Sequence, residues 1–417
     1  MKKYIIAVLL LFNFYVYSQD YILYTPPQFT NPFAQPQFVP NISLIADFSY
    51  VNRDIKDETY ENLEIPAFLH QLIHKHGEHE HAPMNAKRGF NLNYAELSLE
   101  SAVDPYINLT GIFHITEQTL EIEELYFTTR SLPYNLQVKG GKFLSSIGRI
   151  NSQHQHYWDF ADIPLIYRVL FGDEGLSEKG AQLTWITPFP FYLLVGTELF
   201  QGENEYSFGY EAIKNNEEII FDKAPVPSLH TAFVRTSYDI GNLTFLGGFS
   251  YLTGKTRFNH LEDQENPHAF GGNTKIYGFD IFAKYFIDSY KYIAFQGEYF
   301  YRNLYGFVYK NINLSNLEKK EKKQSGFYIQ TIYRFSQRWR LGFRYDLLNK
   351  NEVNGKKLIE NLDRYSFMVD FTPSEWTRIR FQYNYDRSKF MENERKKINE
   401  FILEINLAIG AHGAHKF

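Results

Sequence analysis

Over long stretches of this chain, charged side chains stand directly between aromatic ones. Ile379, Phe381, Tyr383 and Tyr385 alternate with Arg378, Arg380, Gln382, Asn384 and Asp386. Trp339, Leu341, Phe343, Tyr345 and Leu347 alternate with Arg338, Arg340, Gly342, Arg344 and Asp346. Successive side chains of a β-strand point to opposite faces, so each stretch carries one aromatic face and one charged face. The end of the chain repeats the period with milder residues. Counting back from Phe417 in twos, Ile409, Leu407, Ile405, Leu403 and Phe401 are apolar, with Glu404, Asn406, Ala408 and Gly410 between them.

Such strands need lipid on one side and water on the other. The chain has 38 Phe, 32 Tyr and no Cys, and aromatics reach 18%. That composition suits a barrel with aromatic girdles at both membrane interfaces. After the first twenty residues, no stretch approaches the roughly 20 apolar residues of a spanning helix. A net charge of −5 gives no face for nucleic acid. The expectation is therefore all-β: a transmembrane antiparallel β-barrel of about sixteen strands, within a range of fourteen to eighteen. The strands are expected near 43–52, 88–100, 105–115, 121–130, 135–143, 179–187, 191–201, 228–238, 243–253, 274–286, 291–303, 325–335, 338–348, 363–372, 376–387 and 400–410.

Every second connection is short, and all but one of the others are long; the exception is Thr116–Leu120. Barrels have short periplasmic turns and longer extracellular loops. The segment before the first strand is therefore periplasmic. Residues 1–18 read as a signal peptide: Lys2 and Lys3, an apolar run from Tyr4 to Val16, then a cleavage site near Ser18. Residues 19–42 form a periplasmic segment too short for a globular plug, and 43–417 the outer-membrane barrel. Lipid surrounds the barrel, and the strand ending at Phe417 resembles the signal read by barrel assembly machinery.

Apart from His412 and His415, every histidine falls in an extracellular loop or at the outer end of a strand. The densest run holds His70, His74, His76, Glu78, His79, Glu80 and His81. A His-rich tract is a compositional metal signal, since neutral imidazole suits Zn²⁺, Ni²⁺ or Cu²⁺ and carboxylates complete a site. The bland alternative is a polar surface loop. No cofactor is required; a transition-metal ion is expected as a bound or transported species.

The third long loop, Leu144 to Lys179, differs in kind. It carries Trp158, Phe160, Ile163, Leu165, Ile166, Tyr167, Leu170 and Phe171, a load that a solvated loop does not bear. It is expected to fold into the lumen, where His154, His156 and Asp159 form a candidate site. Strand parity turns Arg334, Arg338, Arg340, Arg344, Arg378 and Arg380 toward the lumen, while the loop brings Asp159, Asp162, Asp173 and Glu174. An arginine wall facing an acidic loop would set a transverse field across a constriction. The alternative is that the arginines pair with Asp346, Asp386 and Glu404 on neighbouring strands. Glu318–Lys323 reads as a solvated loop tip.

Gly148-Arg149 to Tyr167-Arg168, Gly172 to Leu176 and Gln182 to Pro188 together resemble a segment of the form G-R-x-N-x-Q-H-x-H-x-W-D-F-x-D-x-P-L-x-Y-R, G-D-E-G-L and Q-L-x-W-x-x-P. Asp104-Pro105-Tyr106 and the His-rich first loop also fit. The chain thus resembles a group of plug-less outer-membrane barrels, porin-like and often labelled zinc-regulated or TonB-dependent receptor-like. The resemblance implies that this loop matters to function.

The first functional expectation is a porin-like channel for small solutes with a role in zinc acquisition. The second is a general or anion-selective porin, favoured by the arginines. The third, a barrel enzyme, would use His154 with Asp159 as acid and base. The chain carries no Gly-x-Ser-x-Gly elbow, phosphate-binding loop or His-Glu-x-x-His helix, so a non-enzymatic role is expected.

Overall fold

A computed structural model describes residues 40–69, 83–117, 119–215, 218–262, 267–310 and 317–410. The leader, the segment 19–39, the histidine run from His70 to His81 and the terminal Phe417 lie outside the described residues.

Among the described residues, sixteen long strands make one antiparallel sheet, with the two-residue strand Lys356–Lys357 paired beside them. They are β1 (Asn41–Arg53), β2 (Gly89–Ala102), β3 (Ile107–Ile115), β4 (Leu120–Thr129), β5 (Leu136–Leu144), β6 (Ser177–Ile186), β7 (Tyr192–Phe200) and β8 (Leu229–Ile240). There follow β9 (Leu243–His260), β10 (His268–Phe286), β11 (Tyr292–Lys310), β12 (Glu318–Arg334), β13 (Trp339–Val353), β14 (Leu362–Ser374), β15 (Thr377–Asp386) and β16 (Ile398–Gly410). Each strand pairs with its neighbours in sequence, and β1 pairs with β16 from Ser43↔Gly410 to Arg53↔Glu400, so the sheet closes. Closure removes the unpaired edges that lipid would not tolerate.

The alternation holds in the wall. On β13, Leu341 and Phe343 face outward while Arg344 and Asp346 are buried inside. Outward aromatics stack in rows across strands, among them Phe343 with Phe367 and Tyr345 with Tyr365. Cross-strand pairs of this kind stabilise a sheet and form the lipid-facing surface.

The strands from β9 to β13 run 15 to 19 residues, well beyond the roughly 9–11 needed to cross a bilayer at a tilt. The expected strands stop short here because the wall continues above the membrane. There Phe270, Leu304 and Val308 pack in one apolar cluster and Ala269 and Tyr309, of opposite parity, in another with Ile213, so apolar residues stand on both faces and the period-two contrast fades. Glu318–Lys323 is a correction: it is the start of β12, not a loop tip, and Lys322 donates to the Ala67 carbonyl at 2.9 Å.

Inside the wall, the third outer loop fills much of the lumen. Its helix α2 (Leu165–Phe171) is buried on every side. Ile147, Ile150, Trp158, Ile163 and Leu170 share one apolar core with Tyr60, Leu63 and Ile65 of the first loop, around the short helix α1 (Asp57–Glu61), and with Phe300, Tyr328 and Leu348 of the wall. Each such side chain contributes about 1.5–3 kcal/mol when fully buried.

Candidate functional site

The inward loop is tied at its neck. Ser145 N–H donates to the Leu176 carbonyl at 2.9 Å. Asn151 completes the closure: its amide donates to the carbonyls of Ser145 and Leu176, and its oxygen accepts from Leu176 N–H. Gly148 stands at φ +57°, and a Cβ there would meet the Tyr167 hydroxyl at 1.9 Å and a Glu298 oxygen at 2.3 Å. Glycine is required for both reasons. Glu298, on β11, gathers the segment by accepting from Arg149 N–H, Ile150 N–H and the hydroxyls of Tyr167 and Tyr328. The sequence segment Gly148-Arg149-Ile150-Asn151 is thus the anchor of the loop.

The far end of the loop meets the arginines. Asp162 accepts from Arg344 at 2.7 Å and from Arg364 at 2.6 Å. Asp159 accepts from Arg340 at 2.9 Å and Gln330 at 3.0 Å. Arg378 and Arg380 donate to the backbone carbonyls of His156 and Trp158. The same arginines also pair along the wall: Arg344 with Asp346, Arg380 and Arg340 with Asp370, and Arg378 with Glu404. Pairing along the wall thus occurs at Asp346 and Glu404, with Asp370 where Asp386 was expected, while Asp386 pairs with Lys389; the loop carboxylates touch the guanidinium groups instead of facing them across an open gap. Burial alone would raise the Asp162 pKa, but Arg344 and Arg364 outweigh it and hold the carboxyl well below its usual range. Asp346 receives the Leu165 N–H at the start of α2. Arg334 folds onto the carbonyls of its own turn, Ser336 and Gln337, and Arg338 is exposed at that turn. Asp173 pairs with Arg168 at 3.1 Å, and Glu174 lines the outer cavity.

On the opposite side, the structure brings His154 and His156 together but not Asp159. The turn Gln155–Tyr157 sets the two rings in parallel, 5.8 Å apart. They meet strands β2, β3 and β4. Glu123 lies 2.8 Å from His114 Nε2 and 3.3 Å from His154 Nδ1. Glu96 lies 3.2 Å from His156 Nδ1, and Glu124 lies 2.9 Å from His154 Nε2. The acid–base pair of His154 with Asp159 is a correction, because Asp159 is held on the arginine wall instead.

Strict alternation hides half of this cluster. The register between β3 and β4 slips between Ile112 and Phe113, so that Ile112 pairs with Glu124 and Phe113 with Ile122. Glu123 is the extra residue of a bulge, which lets adjacent carboxylates both reach the site. The available signal was Glu96 and His114 on the lumen parity of neighbouring strands, where they are direct register partners. Burial by itself would depress the His154 pKa; Glu123 and Glu124 at its two nitrogens outweigh that and raise it well above the ordinary value. For His156 burial wins over Glu96, and the pKa is lowered.

A cavity of about 530 Å³ lies between the inward loop, the inner faces of β2 to β6 and β14 to β16, and the first, fourth and last outer loops. His114 and Glu123 form part of its wall, and Asp162 and Arg364 another part.

No family profile matches the chain. An uncharacterized protein of Aquifex aeolicus is 54% identical over 391 residues, covering 93% of this chain and 82% of the relative. Among solved structures, the outer membrane channel DcaP of Acinetobacter baumannii aligns with 89% of this chain and 97% of its own, at TM-score 0.52 and 11% identity. An anion-selective porin from Comamonas acidovorans aligns with 89% and 100%, at TM-score 0.51 and 9% identity. A loop L8 deletion mutant of Vibrio cholerae OmpT aligns with 89% and 99%, at TM-score 0.50 and 11% identity. These likenesses are of fold. The closed sixteen-strand barrel with its lipid-facing aromatic band is a protein of the bacterial outer membrane.

Proposed function

The chain belongs to one family with the Aquifex aeolicus protein, and for it we propose a porin-like passage for small cationic solutes, with transition-metal ions, zinc above all, among them. One observation carries the reading: the outer cavity is acidic. Glu123, Asp162, Asp173, Glu174, Glu203, Glu205, Asp386 and Glu400 line it, against Lys142, Arg168, Arg364 and Lys389; Asp162, Asp173, Glu203, Asp386 and Glu400 are held in ion pairs, and carboxylates still outnumber cationic groups along the lining. A ring of carboxylates at a narrow mouth raises the local concentration of cations. The arginines that favoured an anion-selective porin are mostly neutralised by Asp159, Asp162, Asp370 and Glu404.

The floor of the cavity is the inward loop, held by the arginine wall and the Glu298 anchor. Passage is therefore narrow, and conductance is expected to be low for a barrel of sixteen strands. Reversal potentials across planar bilayers in asymmetric KCl test the reading. Cation preference, reduced in the Glu203→Gln/Glu205→Gln double variant, is the expected result. Anion preference that vanishes on neutralising Arg340, Arg344 and Arg380 would establish the general porin instead. The zinc component predicts Zn²⁺ flux into barrel-bearing liposomes that falls when residues 72–82 are deleted.

A further inference from the structure

We propose that Glu96, His114, Glu123 and His154 form a tetrahedral site for a divalent transition-metal cation of the zinc class, with Glu124 positioning His154 from behind. The inference rests on the cation-preferring reading above for the supply of the ion, but the site itself is argued from its own geometry.

Bonds of roughly 2.0–2.2 Å to nitrogen and oxygen set neighbouring ligand atoms of a tetrahedral site about 3.3–3.6 Å apart. Four of the six ligand pairs bracket that spacing. From Glu123, His114 Nε2 lies at 2.8 Å and His154 Nδ1 at 3.3 Å. From Glu96, the same two nitrogens lie at 3.7 and 3.8 Å. Ligand atoms of Glu96, Glu123 and His154 all fall within 4.8 Å of one another; His114 stands outside that set, 2.8 Å from Glu123, and becomes the fourth ligand by closing on the ion. The four come from three adjacent strands and the inward loop, so one ion would tie the loop to the wall.

His154 Nδ1 and Glu123 share a hydrogen bond at 3.3 Å, and the other contacts are close but misaligned. Both oxygens of Glu96, both nitrogens of His156 and Nε2 of His114 are buried without an aligned hydrogen bond. Glu96 and His156 are each about 1% exposed. Buried polar atoms normally find hydrogen-bond partners, and leaving them without is costly. A cluster of protonated imidazoles on carboxylates would align its N–H groups with the oxygens. Of the four proposed ligands, Glu96 and His114 crowd together at 3.7 Å without an aligned bond and so keep lone pairs for a common centre.

The surroundings complete the pattern. A metal-bound imidazole usually donates its other N–H to a carboxylate, which fixes its orientation. His154 turns Nδ1 to the site and Nε2 to Glu124 at 2.9 Å, and Glu124 is itself fixed by the Leu144 N–H at 2.6 Å. His114 is held flat against Tyr94, with ring centroids 5.0 Å apart. Two imidazoles with two carboxylates favour zinc, nickel or copper over calcium or magnesium, which prefer all-oxygen sites. The outer cavity gives an ion access through His114 and Glu123.

The test is titration of the full-length barrel in detergent with Co²⁺, followed by visible absorption, and with Zn²⁺, followed by calorimetry. The expected result is one ion per barrel with the intense spectrum of tetrahedral Co²⁺, displaced by Zn²⁺. The site should persist when residues 72–82 are deleted. It should weaken at least tenfold in Glu123→Gln and His154→Ala, and by about 10–100-fold in Glu124→Gln. Heat-modifiable migration on gels establishes that each variant is folded, and the near-isosteric Glu123→Gln decides should His154→Ala fail that criterion. Binding that disappears with residues 72–82, or that survives Glu123→Gln unchanged, overturns the proposal. Anion preference in bilayers alongside intact Co²⁺ binding would instead overturn the channel reading and leave the site standing.

Discussion

The inward loop is held against two walls of the same lumen, and the two attachments are built on opposite principles. On β12 to β16, the charges of the loop meet opposite charges with good geometry. Asp162 sits between Arg344 and Arg364, and Asp159 takes Arg340 and Gln330. On β2 to β4, three carboxylates and three imidazoles crowd together, and several of their atoms lack an aligned bond. The arginine wall has buried atoms of its own without an aligned bond, Arg378 Nε and Arg380 Nη1, but both side chains still donate directly to carboxylates, whereas neither oxygen of Glu96 accepts an aligned bond; a network left that open holds recognition capacity in reserve. The arginine wall is the mount, and the Glu/His wall is the side that has something left to bind.

The largest effect should follow from breaking the mount. Arg364 bridges Asp162, Asp346 and the Ile163 carbonyl. Removing one partner of a buried charge network costs about 3–5 kcal/mol. Arg364→Ala should therefore lower the temperature of heat-modifiable unfolding and, with the loop loosened, raise single-channel conductance. A variant with wild-type stability and conductance would show that the arginine wall does not hold the loop. A smaller loss is expected at the other anchor. Glu298→Gln replaces an acceptor of four hydrogen bonds with a group that also donates, at a cost of about 1.5–3 kcal/mol per charged bond lost.

The mount also has a pH signature. The folded pKa of Asp162 lies below its unfolded value, so its contribution to stability is fully present above the ordinary aspartate range, near 3.9. It is lost only as pH falls through the depressed folded value. The barrel should keep its loop in place at pH 4, and Asp162→Asn should flatten the acid limb of stability against pH below that point. An unchanged acid limb in Asp162→Asn would remove Asp162 from the mount.

How far this contrast was legible in the sequence depends on parity. Sixteen strands, the barrel and the inward loop follow from alternation, loop lengths and the apolar load of residues 158–171, all of them local signals. Arg340, Arg344, Arg378 and Arg380 are on the lumen face because strict alternation holds along β13 and β15. Arg364 escaped notice because Asp363-Arg364-Tyr365 shows too little apolar contrast to stand out. The Glu/His wall was half hidden for a different reason. His154 and His156 are visible as a motif, but Glu123 and Glu124 are adjacent in sequence and alternation assigns them opposite faces. The bulge that brings both to the site is a register event between two strands, which a single strand does not reveal. Asp159 went to the wrong wall because loop residues obey no period at all.

The smallest expected effect separates arginines that share a parity but not a depth. Arg338 is exposed at the turn before β13, whereas Arg340, two residues on, is tied to Asp159 and Asp370. Exposed charges near a turn contribute at most about 1 kcal/mol and are screened by salt. Arg338→Gln should leave unfolding temperature and reversal potential at wild-type values. Arg340→Gln should lower the unfolding temperature and free Asp159 to strengthen cation preference. Equal effects from the two substitutions would mean that the lumen reads total arginine charge, and the distinction between a paired mount and an open site would lose its basis.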